Sequence, residues 1–162
     1  MPSGALWDVL VLPFNKILKM ETIKLLLYSD VGNKWNNIAL LLFRILIAVE
    51  LFRVHGMKKF RVENGEREHL PNPLHLPEKL NSWIAAFSDT AVPFFIIIGL
   101  GTRLLVLPTI GITAVGYFVV HRNDSIEVRD IPYMYAVCLL LLLAVGAGTY
   151  SLDHYIINLL SN

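Results

Sequence analysis

The sequence predicts an all-α integral membrane protein, a four-helix bundle with an N-terminal interfacial amphipathic helix. Of its 162 residues, 55% are hydrophobic and only 17% are charged, and the mean hydropathy is +0.56. This balance lies outside the range of ordinary soluble domains. The long apolar runs do not alternate with polar residues, which favours helices over barrel strands as the spanning elements.

Four apolar stretches are long enough to cross a bilayer, because a spanning helix needs about 20 mainly apolar residues. They cover residues 37–54, 80–101, 104–120 and 131–150. Only "GLGTR" joins the second stretch to the third, so these helices are predicted to be antiparallel neighbours. An even number of spans places both termini on one side. Lysine and arginine are too evenly divided between the two faces to assign an orientation.

The segments outside the spans predict two domains. Residues 1–34 mix apolar positions with lysines and a proline, which predicts an interfacial amphipathic segment rather than a fifth span. Residues 35–162 form the four-helix domain. Within it, the loop 61–79 contains three prolines and predicts an ordered cap over one mouth of the bundle. Ser151 is predicted to cap a short C-terminal helix.

Charge and cysteine content exclude several classes of function. A formal net charge of +1 provides no basic field for nucleic acid. The single cysteine, Cys138, rules out an internal disulfide, a CxxC pair and a cysteine-held metal cluster. We therefore predict no metal site and no nucleic-acid partner.

Charged residues inside the first span are the first candidates for function. An arginine at the depth of Arg44 costs a few kcal/mol unless it pairs or snorkels, so it is predicted to face the bundle. Eleven residues separate Arg44 from His55, about three turns, which predicts that both project from one face with roughly 16 Å of rise between them. Glu50 and Arg53 are spaced for a local i,i+3 ion pair.

A polar mouth is predicted where the long loop meets the bundle. Asp89 is predicted at the depth of Glu50, and His121 emerges at the same face as His55. The predicted mouth collects Glu50, Arg53, His55, Lys58, Asp89, His121 and Arg122. Such a set suits a quinone head group, a proton relay or an anion.

Plainer explanations exist for the same residues. Basic residues and histidines at helix ends commonly anchor a protein at the interface, and Lys58 and Lys59 fit such a collar. Asp89, shortly before Pro93, could mark an irregular helix start in the headgroup region. A bis-histidine haem is disfavoured, because both histidines lie at helix ends and no CxxCH motif is present.

Four short motifs together carry a family resemblance. In order they are "FRILIAVELFRVHGMKKF", "GLGTRLL", "VVHR" and "GAGTYSLD". Over residues 38–155 this arrangement resembles the DoxX family of small four-helix membrane proteins. The matching positions are Arg44 in the first helix, His55, Gly56 and Lys59 in an "HG…K" ending, Thr102 and Arg103 in a "TR" turn, and His121 closing the third helix. Asp89 stands where the family often has a glutamate. Pro93 and the scarcity of glycine in the second helix depart from the family pattern.

The resemblance implies a small membrane subunit of a quinone-linked redox complex, as in the DoxD subunit of thiosulfate:quinone oxidoreductase. On this interpretation Asp89, His55 and His121 are catalytic, whereas Arg44, Glu50 and Arg103 bind the quinone. The chain has no flavin fingerprint, metal cluster or dithiol, so it would be at most one subunit of an enzyme. A multi-pass position in a bacterial inner membrane is implied, among lipids and beside another subunit or a second copy.

A non-enzymatic role is the alternative. More distant relatives resemble cargo receptors or receptor-assembly chaperones, which implies an adaptor, anchor or assembly factor. Only the redox hypothesis predicts that Asp89→Asn abolishes quinone-dependent turnover and leaves assembly intact.

Overall fold

The computed structural model describes residues 21–60 and 70–161, and every regular element within these ranges is helical. A short helix covers 21–27. Helix α1 is Lys34–Leu51 and continues through a π-helical turn, Phe52–Gly56, into a 3₁₀ turn, Met57–Phe60. Helix α2 joins Glu78–Ala86, the π-helical turn Phe87–Ala91 and Val92–Ile98. Helix α3 is Thr102–Val115 followed by the π-helical turn Gly116–Val120. Helices α4 and α5 are Ile126–Val145 and Leu152–Ser161.

Three helices within the described ranges are long and apolar enough to cross a membrane. They are Glu78–Ile98, Thr102–Val120 and Ile126–Val145. The 18 regular residues of α1 include Lys34, Arg44 and Glu50, and α1 is not among these three. The prediction of an all-helical membrane protein is therefore confirmed with three of the four predicted spans. The remaining span, α1, stays a prediction.

The predicted hairpin between the second and third spans is present. Helix α2 ends at Ile98 and α3 begins at Thr102. Gly99 and Gly101 both have positive φ, +69° and +59°, a conformation that other residues adopt only at a cost. The amides of Gly99 and Leu100 donate to the Phe95 carbonyl at 2.9 and 3.1 Å, closing the helix end.

The fourth span differs from its predicted bounds of 131–150. Helix α4 begins earlier, at Ile126, and ends at Val145, because Gly146 and Gly148 turn the chain with φ of +84° and +78°. The predicted cap of the last helix is confirmed, since the His154 amide donates to Ser151 Oγ at 3.2 Å.

The predicted N-terminal segment 1–34 lies only partly in view, because residues 1–20 are outside the described ranges. The stretch after the short helix docks on the turn between α4 and α5. Ser29 Oγ donates to the Val145 carbonyl at 2.6 Å and accepts from the Gly148 amide at 2.9 Å. Asn37 Oδ1 accepts from the Thr149 amide at 3.0 Å.

The core lies where α1, α2, α3 and α4 meet, and it is formed by Leu40, Ala48, Val92, Ile96, Val106, Leu139 and Leu142. Large apolar side chains also cover the outer surface, including Leu46 at 69% exposure and Phe94 at 62%. An apolar exterior suits hydrocarbon as solvent, and helix packing there depends on close contact and polar bonds. Hydrogen bonds between polar groups inside this bundle therefore help to determine how its helices pack.

Candidate functional site

A cavity of about 590 Å³ opens at the end of the bundle where α1 ends and α2 begins. All four long helices and the 70–76 segment line it, and most of the wall is apolar. Its polar lining includes His55, Lys59, Asp89, Thr109, His121 and Tyr135. Small-molecule sites typically have this volume and this combination of apolar wall with a few convergent polar groups.

The predicted cap over this mouth covers residues 61–79, of which 61–69 lie outside the described ranges. Asn72 organises the turn, because its side chain accepts from the Leu76 amide at 2.9 Å and donates to the Leu76 carbonyl at 2.6 Å. Asn81 of α2 holds the Pro71 carbonyl at 3.3 Å. The side chains of this segment form the outer wall of the cavity.

An ion pair between Lys59 and Asp89 crosses from α1 to α2 inside the cavity. The Nζ and Oδ2 atoms are 3.5 Å apart, and the two side chains are only 14% and 12% exposed. Lys59 was expected in an interfacial collar with Lys58. The structure corrects this prediction, because the Lys59 side chain turns inward to the carboxylate, whereas Lys58 is exposed.

Asp89 lies within a continuous helix. It occupies the π-helical turn Phe87–Ala91, with regular helix on both sides. The alternative that Asp89 marks a helix start is therefore wrong. Pro93 accounts for the irregular turn, because proline has no amide hydrogen to donate to the carbonyl of Asp89, four residues earlier. Gly56 of α1 packs against this carbonyl, and a Cβ atom at Gly56 would lie 2.4 Å from the oxygen.

Three π-helical turns surround the cavity, one in each of α1, α2 and α3. The first contains His55, the second contains Asp89, and the third ends one residue before His121. The first two turns contact each other directly. Turns of this kind are rare and frequently occur at functional sites. Their concentration at one end of the bundle marks the cavity as the candidate site.

The two histidines of the cavity have different surroundings. His55 contacts the ring of Tyr135 on α4 edge to face, with ring centroids 5.5 Å apart. His121 Nδ1 lies 2.7 Å from Asp124 Oδ2. A carboxylate at Nδ1 favours a proton on that nitrogen, which leaves Nε2 of His121 as the atom that can accept.

Among the described residues, two buried hydroxyls beside the cavity have no hydrogen-bond partner. They are Ser88 Oγ, next to Asp89, and Thr109 Oγ1 of α3. Thr109 is 1% exposed and Ser88 0%. Buried hydroxyls are usually bonded, so these two are unsatisfied groups behind the cavity wall.

Arg44 lies at the opposite end of the bundle. Its side chain is 1% exposed and donates to the Ala147 carbonyl, to Tyr150 at 2.8 Å and to Ile97 at 3.2 Å. The guanidinium therefore joins α1 to the C-terminal end of α2 and to the turn that follows α4. The predicted burial of Arg44 is confirmed, but the structure does not bring Arg44 to His55.

Arg103 also binds carbonyl groups at this opposite end. It donates to Leu25 and Tyr28 at 3.0 and 2.9 Å, at the end of the short helix. It also donates to Leu143 and Val145 at 3.3 and 3.1 Å, at the end of α4. One side chain thus satisfies the last carbonyls of two helices.

Comparison with known proteins places this architecture in a family. Residues 39–122 match DoxX. A relative from Haemophilus influenzae, described as an uncharacterized protein, is 32% identical over 126 residues, which cover 73% of this chain and 83% of the relative. The chain belongs to the DoxX family. No solved structure matches it. The resemblance predicted from the four motifs is confirmed, and this DoxX protein is an integral membrane protein with three apolar helices.

The six predicted site residues of this DoxX protein separate into two groups and one outlier. Asp89, His55 and His121 come together at the cavity, whereas Arg44 and Arg103 lie at the other end. Glu50 is outside the cavity lining and pairs with Arg53 at 3.3 Å, as the i,i+3 spacing predicted. Asp89 was predicted to lie at the same depth as Glu50. In the structure it lies beside Gly56 of α1 instead.

Asp153 is the buried charge that sequence reasoning missed. It is 1% exposed, and its carboxylate accepts from the Gly101 amide at 2.7 Å and the Thr102 amide at 3.3 Å. A helix at the C-terminus thereby caps the start of α3. Burial raises the pKa of Asp153, while the two amides and the charge of Arg44 oppose the shift. The only signal in the sequence was an acidic residue inside "GAGTYSLD".

Proposed function

We propose that this DoxX protein is a small membrane subunit of a quinone-linked redox complex and that the cavity binds the lipophilic carrier. The main support is the convergence of an ion pair and two histidines in a mostly apolar cavity of about 590 Å³. Ionisable groups inside a membrane protein are costly and usually functional. A quinone needs this combination, because its ring and tail are apolar and its two oxygens are polar.

The proposed chemistry uses the three predicted residues that meet at the cavity. His55 would donate a hydrogen bond to a carbonyl oxygen of the carrier, His121 would accept one through Nε2 from a hydroxyl of the reduced carrier, and Asp89 would exchange a proton with the carrier. His121 lies nearest the loop side and is 37% exposed, so it is also suited to pass protons between water and the cavity. In this proposal Arg44 and Arg103 hold helices together and do not touch the carrier.

Electrons must come from a partner protein in this proposal. The chain has one cysteine and no flavin fingerprint, and among the described residues no three histidine, cysteine or acidic side chains are grouped to hold a metal. The partner would carry the redox centre, and the DoxX protein would present the carrier to it. We further propose that α1 is the fourth span and that the complex resides in a bacterial inner membrane.

The arginine end supports a second candidate, a non-enzymatic adaptor or assembly factor. Arg44 donates through its two terminal nitrogens, and Arg103 through all three guanidinium nitrogens, to backbone carbonyls, and these bonds hold helices in place without taking part in chemistry. If the ion pair in the cavity had the same purpose, the whole polar interior would only fix helix packing. The partner would then bind outside the bundle, and no carrier would be needed.

Purification of the native protein in mild detergent tests both candidates. Mass spectrometry would identify the proteins and the lipophilic molecules that accompany it. We expect a quinone and an oxidoreductase partner, and quinone-dependent turnover by this complex should be abolished in Asp89→Asn while protein level and partner are retained. The matched control is Asp130→Asn, an exposed carboxylate on α4, which should keep the turnover. Ordinary phospholipids with a partner lacking any redox centre would overturn the redox proposal in favour of the adaptor.

A further inference from the structure

The burial of the Lys59–Asp89 ion pair is not explained by a gain in stability. Taking two charges out of water is expensive, and a buried pair is often no better for stability than two well-packed apolar residues. This pair lies on a cavity wall, with both side chains more than four-fifths buried. At 3.5 Å the Nζ–Oδ2 distance is also longer than a tight charge-assisted hydrogen bond of about 2.8 Å.

The two members of the pair offer opposite hydrogen-bonding abilities at one place. A lysine ammonium has three donors and no acceptor, whereas an ionised carboxylate only accepts. Lys59 therefore suits a carbonyl oxygen and Asp89 suits a hydroxyl group. The pair as a whole carries no net charge, so the pair itself does not require a charged ligand.

We infer that the Lys59–Asp89 pair recognises both redox forms of a neutral 1,4-quinone, with Lys59 donating to the oxidised carbonyl and Asp89 accepting from the reduced hydroxyl. This inference rests on the proposed function and adds residue roles to it. Lys59 becomes a specificity residue for the quinone, and Asp89 becomes one for the hydroquinone. The pair thereby sets the relative affinity of the two forms.

Close packing of the two helices holds the pair together. Gly56 lets the α1 and α2 backbones approach closely, so that Lys59 reaches Asp89 across the two helices.

The test measures the binding of the quinone and of the quinol to variants of Lys59 and of Asp89. The full-length protein in phosphatidylglycerol–phosphatidylethanolamine nanodiscs is titrated with decylubiquinone and, under reducing conditions, with decylubiquinol. Bound ligand is quantified by mass spectrometry after nanodisc re-isolation. We expect Lys59→Met to weaken quinone binding at least tenfold and quinol binding less than threefold, and Asp89→Asn to show the reverse. A tenfold change in the affinity ratio moves the two-electron midpoint potential of the bound carrier by about 30 mV.

Matched controls separate recognition from folding. Lys79→Met and Asp130→Asn remove the same groups from exposed positions and should change neither affinity, while Lys59→Arg retains a donor and should keep most quinone binding. Equal weakening of both forms by Lys59→Met and by Asp89→Asn would overturn the inference and make the pair structural. Unchanged binding in both variants would also overturn it and leave the proposed function standing. Failure of the unaltered protein, with its partner present, to bind either form would overturn the proposed function itself.

Discussion

Gly56 of α1 and Asp89 of α2 meet backbone to backbone, so closely that a Cβ atom at Gly56 would lie 2.4 Å from the Asp89 carbonyl oxygen. No side chain at position 56 fits this space unless the helices move apart. The contact places Lys59, one turn further along, beside the Asp89 carboxylate at 3.5 Å. The ion pair in the cavity therefore depends on a glycine that carries no chemistry of its own.

Gly56→Ala is expected to destabilise the protein by about 1–3 kcal/mol, the usual cost of overpacking. Thermal unfolding in detergent, followed by circular dichroism, measures the effect. Gly111→Ala is the control, because nothing lies within 4 Å of a Cβ atom there. Alanine within a helix is favoured over glycine by roughly 0.5–1 kcal/mol, so Gly111→Ala should be neutral or stabilising. A similar loss in both variants would show that the close approach is not the cause.

Arg44→Lys is expected to lower the unfolding temperature despite keeping the positive charge. A lysine cannot reach the carbonyls of Ala147, Ile97 and Tyr150 together, and each buried carbonyl left without a donor costs about 1–3 kcal/mol. The same unfolding measurement on Arg53→Lys provides the comparison on the same helix, since the Arg53 side chain is 69% exposed and pairs with the neighbouring Glu50. Equal stability of the two variants would contradict the assigned role of Arg44.

Arg103→Gln is expected to release the short helix 21–27 from the bundle. Its guanidinium holds the carbonyls of Leu25, Leu26 and Tyr28, and glutamine is too short to replace these bonds. Hydrogen–deuterium exchange should show faster exchange of the amides of residues 24–30, with little change in α2. Arg122→Gln, at an exposed position, should leave the exchange unchanged. Retained protection in Arg103→Gln would mean that Ser29 and Asn37 alone secure this segment.

Asp153 should make stability depend on pH in the acid range. Its pKa is raised from the ordinary value of 3.8, mainly by burial. Between 3.8 and the raised pKa the folded protein holds more protons than the unfolded chain, so this contribution to stability is full below 3.8 and is lost as the pH rises through the raised value. Unfolding of the wild type and Asp153→Asn is compared from pH 3.5 to 8. The difference between their unfolding temperatures should change with pH in that direction; a constant difference would refute the prediction.

Hydropathy and short motifs were sufficient for the helices, the hairpin at Gly99–Gly101 and the family. These features are local, since an apolar run or a glycine turn is determined by neighbouring residues. The burial of Arg44 also followed from its depth in an apolar run. The exact partners of Arg44 and Arg103 did not, because they are carbonyls distant in the chain, and every backbone offers the same carbonyl.

The cavity was harder to predict because the helices that surround it are irregular. Arguments from a period of 3.6 residues assume regular helix, and the π-helical turns at His55 and Asp89 interrupt that period. Pro93 was the only signal of such a turn, and together with Asp89 it was interpreted as an irregular helix start instead. Lys59 was predicted to be an interfacial anchor because its partner, Asp89, lies on another helix and leaves no signal in the sequence around Lys59.

The π-helical turn in α1 also predicts how the protein responds to the deletion of a single residue. A turn closed by i→i+5 bonds contains one residue more than the matching α-helical turn. Deleting one residue within 52–56 would therefore restore regular helix and leave the direction of the residues beyond the turn, Lys59 included, largely unchanged. A deletion within 35–43 has no extra residue to absorb it and would rotate everything beyond it by about 100°, which carries Arg44 away from its carbonyls and Lys59 away from Asp89. Single-residue deletions would thus be tolerated in the π-helical turn and not in the regular part of α1.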